Sequence, residues 1–170
     1  MQGVHLMIKQ NFNFERWHKR ILELKDQNTH AESLEFWSLV DLVEGIDEVS
    51  NNLNVARTLF QTFTNKPDQG VKESVVRILG VFDIATYYRA YLAELPNLIK
   101  ETQRTGWYIM LADYPERELQ NEDADVIVSV VKEMPFETQQ IFEEIISKED
   151  FIEDCNWAEY ALIKLKNIKC

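Results

Sequence analysis

Two cysteines, three histidines, five glycines and four prolines are all that this chain of 170 residues holds of those types. Cys155 and Cys170 are too few for a disulfide scaffold, so a reducing compartment is expected. His5, His18 and His30 do not fall at a ligand spacing such as H-x-x-x-H, and no two cysteines are close. Glu143-Glu144 lacks the Glu-x-x-His partner of a di-iron bundle. Scarce glycine and proline favour long helices over many tight turns. No apolar run approaches the roughly 20 residues of a membrane span. The segment Met1-Gln-Gly-Val-His-Leu-Met-Ile-Lys9 has neither the long apolar stretch nor the cleavage site of a signal peptide. A cytoplasmic protein is expected, with no membrane partner.

Catalytic motifs are missing as well. There is no G-x-S-x-G elbow, no phosphate-cradling G-x-x-x-x-G-K-[ST] and no G-x-G-x-x-G. Cys155 lies between Asp154 and Asn156, and acidic neighbours raise a thiol, the wrong direction for a nucleophile. The sequence therefore offers no catalytic, cofactor-binding or metal-ligating residue, and a non-enzyme with no cofactor is expected. Its one enzymatic alternative is a helical hydrolase with a carboxylate-bound metal.

What the chain does have is acid, unevenly placed. Its net charge is −11. Residues 1–112 carry 12 Lys+Arg against 14 Asp+Glu, a net of −2. Residues 113–170 carry 6 against 15, a net of −9. Such a surface repels nucleic acid and anionic membranes and attracts basic proteins. The most basic patch, Arg16-Trp-His-Lys-Arg20, is short and followed by Glu23 and Asp26, so it reads as a solvated helix face with His18 at the surface.

Apolar residues recur at helical spacing almost throughout. Phe14, Trp17, Ile21 and Leu24 form one stripe. Thr29-His-Ala-Glu32 reads as a capping box. It opens a helix carrying Leu34, Phe36, Trp37, Leu39, Val40, Val43 and Ile46, apolar around much of its circumference as a central helix would be. Gly45 marks its end. Leu53 to Phe63 makes a third stripe, and Asn65 to Gly70, with Pro67, is the clearest loop. Asp83 caps the next helix, whose stripe runs from Ile84 through Tyr87, Tyr88 and Tyr91 to Ile99, and which Pro96 should kink or end. Ile127, Val128, Val131 and Met134 are helix-spaced but β-branched, so a short strand is the alternative there. Pro135 starts a further helix. Asn156-Trp-Ala-Glu159 resembles a second cap pair, opening Trp157, Ala161, Leu162, Leu165 and Ile168.

About nine helices of 10–16 residues follow, with hairpins recurring at about 40 residues, the period of HEAT-type solenoids. The expected fold is a single all-α domain over residues 1–170, a short α-solenoid of HEAT-like hairpins with an irregular helical bundle as the alternative. Residues 1–11 read as a leader, which can be a strand, a helical turn or disordered.

A binding surface is the remaining functional reading. Residues 143–154 hold six acids and one lysine, with Phe151 and Ile152 inside the run. Residues 116–125 form a second acidic run. Charge steers encounter and aromatics anchor it. The candidate partner-binding residues are Glu116, Glu118, Glu122, Asp123, Asp125, Glu149, Asp150, Glu153, Asp154 and Trp157, with Tyr160 beside them. The plainer alternative is that both runs are solvated helix ends, acids complementing the dipoles.

One stretch goes further. Val75-Val-Arg-Ile-Leu-Gly-Val-Phe-Asp83, Tyr88-Arg-Ala-Tyr-Leu-Ala-Glu-Leu-Pro-Asn-Leu-Ile99 and Gly106-Trp-Tyr-Ile-Met-Leu-Ala-Asp-Tyr-Pro115 together resemble the bacterial immunity protein 30 family. Its pattern is a helix ending in Phe-Asp, a helix with L-x-x-L-P-x-L, then a Trp-led helix and a short acidic loop. Phe36-Trp37 suits its opening, whereas Gly80-Val81 and the segment Tyr108 to Asp113 depart from it. The resemblance implies a cytoplasmic, non-enzymatic HEAT-like domain. Such a domain neutralises the C-terminal effector domain of a polymorphic or contact-dependent inhibition toxin. It implies a basic nuclease as partner, a ribonuclease before a deoxyribonuclease, whose active site or substrate groove the acidic surface covers. The alternative is a HEAT-like adaptor for another cytoplasmic protein.

Overall fold

A computed structural model describes residues 12–66 and 70–167. The expectations for residues 1–11, Pro67, Ile168 and Cys170 lie outside the described residues. The rest is all-α: no strand occurs among the described residues. Ten α-helices follow one another, α1 (Phe14–Glu23), α2 (His30–Asp41), α3 (Leu53–Phe60), α4 (Val71–Leu79), α5 (Ile84–Thr102), α6 (Trp107–Met110), α7 (Asn121–Lys132), α8 (Phe136–Ile146), α9 (Glu149–Asp154) and α10 (Asn156–Lys166). Two 3₁₀ turns, Leu42–Gly45 and Val49–Asn51, join α2 to α3. The β-branched segment expected as helix or strand is helix α7.

Local chemistry starts several of these helices. The Thr29 hydroxyl accepts from the Glu32 N–H at 3.2 Å, and the Glu32 carboxylate accepts from the Thr29 N–H at 3.0 Å. That is the expected capping box, and it opens α2. Asp83 Oδ1 accepts from the Thr86 N–H at 2.7 Å, the expected cap of α5. The cap expected at Asn156 is not there. Cys155 takes the capping position, and Asn156 Nδ2 instead donates to Glu118 Oε1 at 3.2 Å.

Alternate helices stack. α3 lies against α1 and α5, α7 against α5 and α10, and α2 against α4 as a second layer. The first layer begins new helices at Phe14, Leu53, Ile84 and Asn121. That is close to the expected recurrence of about 40 residues. A polar bridge ties each neighbouring pair. His18 Nδ1 is 2.8 Å from Thr58 Oγ1 (α1 to α3). Arg57 donates to Glu94 at 2.7 Å (α3 to α5), Arg89 to Glu133 at 3.1 Å (α5 to α7), and Lys164 pairs with Asp125 at 3.2 Å (α10 to α7). His18 is thus half-buried between two helices rather than a surface residue. The pattern loosens after α7, where α8 packs on both α5 and α10.

One expectation about an individual helix fails and another is narrowed. α2 is peripheral: Phe36, Val40 and Val43 are buried, but Leu34 and Trp37 are 47% and 40% exposed. Its apolar circumference exceeds the face its neighbours cover. The central helix is α5, which buries Tyr87, Tyr88, Ala90, Tyr91, Leu92, Leu95 and Leu98. Of the two outcomes expected at Pro96, ending the helix does not occur: the helix continues to Thr102. Pro96 is exposed, so its ring sits on the solvent side of the helix.

The core is one continuous cluster from Trp17 to Leu165. Burial of that apolar surface is the principal stabilising term at roughly 25 cal/mol per Å². Every buried polar side-chain atom among the described residues has a partner. Lys72 is an example. Its ammonium donates to the Thr62 carbonyl and to the Lys25 carbonyl at 2.9 Å, and it lies over the Phe36 ring at 5.1 Å. It thereby pins α4 to the end of α3 and to the α1–α2 connection.

Candidate interaction surface

The segment from Leu111 to Gln120 is not helical, yet it is firmly held. Among the described residues no backbone N–H reaches the carbonyl oxygens of Leu111, Ala112 or Asp113. Tyrosines of α5 supply the donors. The single Tyr87 Oη proton is shared between the carbonyls of Leu111 at 2.9 Å and Asp113 at 3.1 Å, while Tyr88 Oη donates to Ala112 at 2.9 Å and Tyr91 Oη to Tyr108 at 2.6 Å. Tyr114 closes the arrangement from the other side. Its hydroxyl lies 2.8 Å from the Gly80 carbonyl, 2.7 Å from that of Phe82 and 3.1 Å from a Glu116 oxygen. Burial pushes the Tyr87, Tyr88, Tyr91 and Tyr114 hydroxyls well above the ordinary phenol range, so they remain neutral donors.

Gly80 lets the loop close. A Cβ there meets the Arg77 carbonyl and the Glu116 Cβ, each at 3.2 Å. The absence of a side chain at Gly80 therefore has a local reason, since the acidic loop packs on the end of α4.

Asp113 links this segment to the start of α10. Its carboxylate accepts from the Trp157 indole N–H at 3.0 Å. The buried Cys155 thiol lies beside it. Burial first, then Asp113, pushes that thiol up to about 12. The direction expected from the sequence holds, with burial as its main cause.

The structure sets both acidic runs beside α10. Residues 113–125 lie against the first turns of α10, through Glu118 on Asn156, Asp113 on Trp157, and Asp125 within 3.3 Å of Tyr160, and the run 149–154 leads directly into that helix. Glu116, Glu118, Glu122, Asp125, Glu149, Asp150, Glu153 and Asp154 are all exposed. Glu122, Glu149, Asp150, Glu153 and Asp154 make no ion pair among the described residues. Asp125 is paired with Lys164.

Two candidate residues do not belong to the surface. Trp157 is 1% exposed, edge-on to Tyr88 and Phe151 at 6.1 and 5.9 Å, and is a core residue. An indole donates one hydrogen bond, and here a carboxylate inside the protein takes it. Asp123 is committed locally. Its side chain is 16% exposed, it accepts from the Gln120 N–H at 2.9 Å, and it pairs with Arg117 at 2.7 Å. The Arg117 guanidinium holds its carboxyl below the usual range. Phe151 is also buried, so the aromatics of the acidic run anchor the fold rather than a partner. Sequence reasoning missed Asp113 and the α5 tyrosines. The available signal was three tyrosines on one buried helix face, each bringing a hydroxyl that needs an acceptor.

Among the described residues no group of three or more His, Cys, Asp or Glu is placed to hold a metal ion. No described helix is long and apolar enough to cross a membrane. Comparison of the chain with protein-family models, curated protein sequences and solved structures finds no match in any of the three. The family resemblance therefore rests on the residues that carry it.

Proposed function

We propose that this chain is a binding protein of the immunity type, which neutralises a bacterial toxin by laying its acidic surface over a basic site on the effector domain. One observation carries the reading. Two separate acidic runs border the same helix, 116–125 lying against α10 and 149–154 leading into it, with Glu122, Glu149, Asp150, Glu153 and Asp154 outside any described ion pair. Charges that a fold uses for itself are paired, capping or set in a helix's first turn, as Asp123 is on the first two counts and Glu122, Glu149 and Asp150 are on the third; Glu153 and Asp154, at the end of α9, serve no such purpose. Charges left free on a shared face raise the local potential and steer a partner of opposite sign. A nuclease groove, basic because it holds phosphate, is such a partner. The family resemblance of residues 75–115 supports the same class of partner. Acid chemistry of this kind also disfavours direct nucleic-acid binding.

The test is co-expression with the C-terminal domain of the toxin encoded next to this gene. Co-purification and protection of growth are expected. Reversing Glu149, Asp150, Glu153 and Asp154 to lysine should slow association by about 10- to 100-fold at low salt and flatten its salt dependence. All four are exposed, so unfolding should change little. Failure to co-purify refutes the function. Unchanged affinity and salt dependence in the quadruple variant refute the placement of the surface.

A further inference from the structure

We propose that Asp113 is a positioning residue that fixes the separation between the two acidic runs, an inference that rests on the binding reading above. Its place in the fold carries the argument. The backbone carbonyl of Asp113 accepts from Tyr87 on the central helix, while its carboxylate accepts from the Trp157 indole at the start of α10. One residue thus grips both the helix that orders the 111–114 segment and the helix that follows the second acidic run. The run at 116–118 begins three residues after Asp113, and Asp154 lies three residues before Trp157. Each run is therefore tethered within one helical turn of the same hydrogen bond.

The other polar ties from the first run to α10, Glu118 to Asn156 and Asp125 to Tyr160 and Lys164, lie at the surface. Glu118 meets Asn156 at 3.2 Å with both residues exposed, where water competes for each partner. The Trp157 indole is enclosed, so water competes for the half-buried Asp113 carboxylate but not for the donor. A basic partner that touches both runs binds best when their spacing is set beforehand, because ordering is then not charged to association.

The experiment measures the spacing directly. Spin labels are placed at Glu118→Cys and Glu153→Cys in a Cys170→Ser background, and the distance distribution is read by pulsed dipolar spectroscopy. The buried Cys155 thiol escapes labelling. A control pair, Lys19→Cys and Asn54→Cys, reports on α1 and α3. Asp113→Ala should broaden the 118–153 distribution at least twofold and leave the control pair unchanged. Asp113→Asn should keep it narrow, because an amide oxygen still accepts from the indole. An unchanged width in Asp113→Ala, equal broadening at both pairs, or an Asp113→Asn variant as broad as Asp113→Ala overturns the proposal. If Asp113→Ala does not fold, Trp157→Phe, which removes the indole donor, is measured in the same way with the same broadening expected and the same overturning results. The measurement uses no partner. Its failure removes Asp113 from its role, while the charge-reversal experiment judges the binding face separately.

Discussion

Replacing Tyr88 with phenylalanine isolates one hydroxyl of the clasp on the 108–114 segment. The ring keeps its edge-on contacts with Phe142 at 6.2 Å and Trp157 at 6.1 Å, so little apolar burial is lost. What disappears is the donor to the Ala112 carbonyl, in a residue that is fully buried and has no other backbone donor among the described residues. Stranding a buried acceptor costs about 1–3 kcal/mol. For a chain of this size each kcal/mol moves Tm by about 2–4 °C, so a fall of roughly 4–8 °C is expected for a loss near 2 kcal/mol. The assay is thermal and urea unfolding beside Tyr160→Phe. The Tyr160 hydroxyl is half-exposed and sits 3.3 Å from each Asp125 oxygen, so its removal should stay within about 0.5 kcal/mol. The urea m-value should not move, because the surface exposed on unfolding is unchanged. A Tyr88→Phe variant no less stable than Tyr160→Phe would refute the idea that side-chain hydroxyls hold this segment.

Three further expectations follow from the same geometry. Tyr87, Tyr88, Tyr91 and Tyr114 ionise well above the phenol's ordinary value of about 10 when folded, so their contribution is complete below about pH 10 and lost as pH rises beyond it. Denaturant unfolding at pH 9 and pH 11 should show the decline, and equal stability at the two values would contradict it. Thr29→Ala removes half of the α2 capping box and should cost about 1 kcal/mol by urea unfolding, whereas Thr29→Ser should be nearly neutral. Glu48 is the one non-glycine residue with positive φ among those described, at 54°. Relief of that left-handed strain in Glu48→Gly should leave stability unchanged or raised by up to about 1 kcal/mol, and a clear loss would show that the Glu48 side chain matters.

What the sequence made legible was local. The Thr29–Glu32 box and the Asp83 cap need only three consecutive residues beyond the cap, and both are present as expected. The helical stripes depend on a period of 3.6, and they locate the all-α fold. Tertiary choices were hidden. Leu34 and Trp37 carry the same apolar signal as Phe36, but only packing decides which side of α2 has a neighbour. Trp157 among acids looked like an anchor, because no local rule reveals that Asp113, 44 residues earlier, takes its N–H. The acidic asymmetry was readable from counts. That residues 116–125 and 149–154 border the same helix follows from α10 lying against α7.

The tyrosine clasp also has a consequence in time. The carbonyls of residues 111–113 find their donors on α5, which precedes them in the chain, and Tyr114 reaches back to Gly80 and Phe82. None of these hydrogen bonds needs a residue beyond 114. The Asp113 carboxylate, however, waits for Trp157. In the order of synthesis, one acidic run is in place well before the other arrives. The acidic surface proposed above therefore gains its buried tie to the rest of the fold only with the arrival of α10.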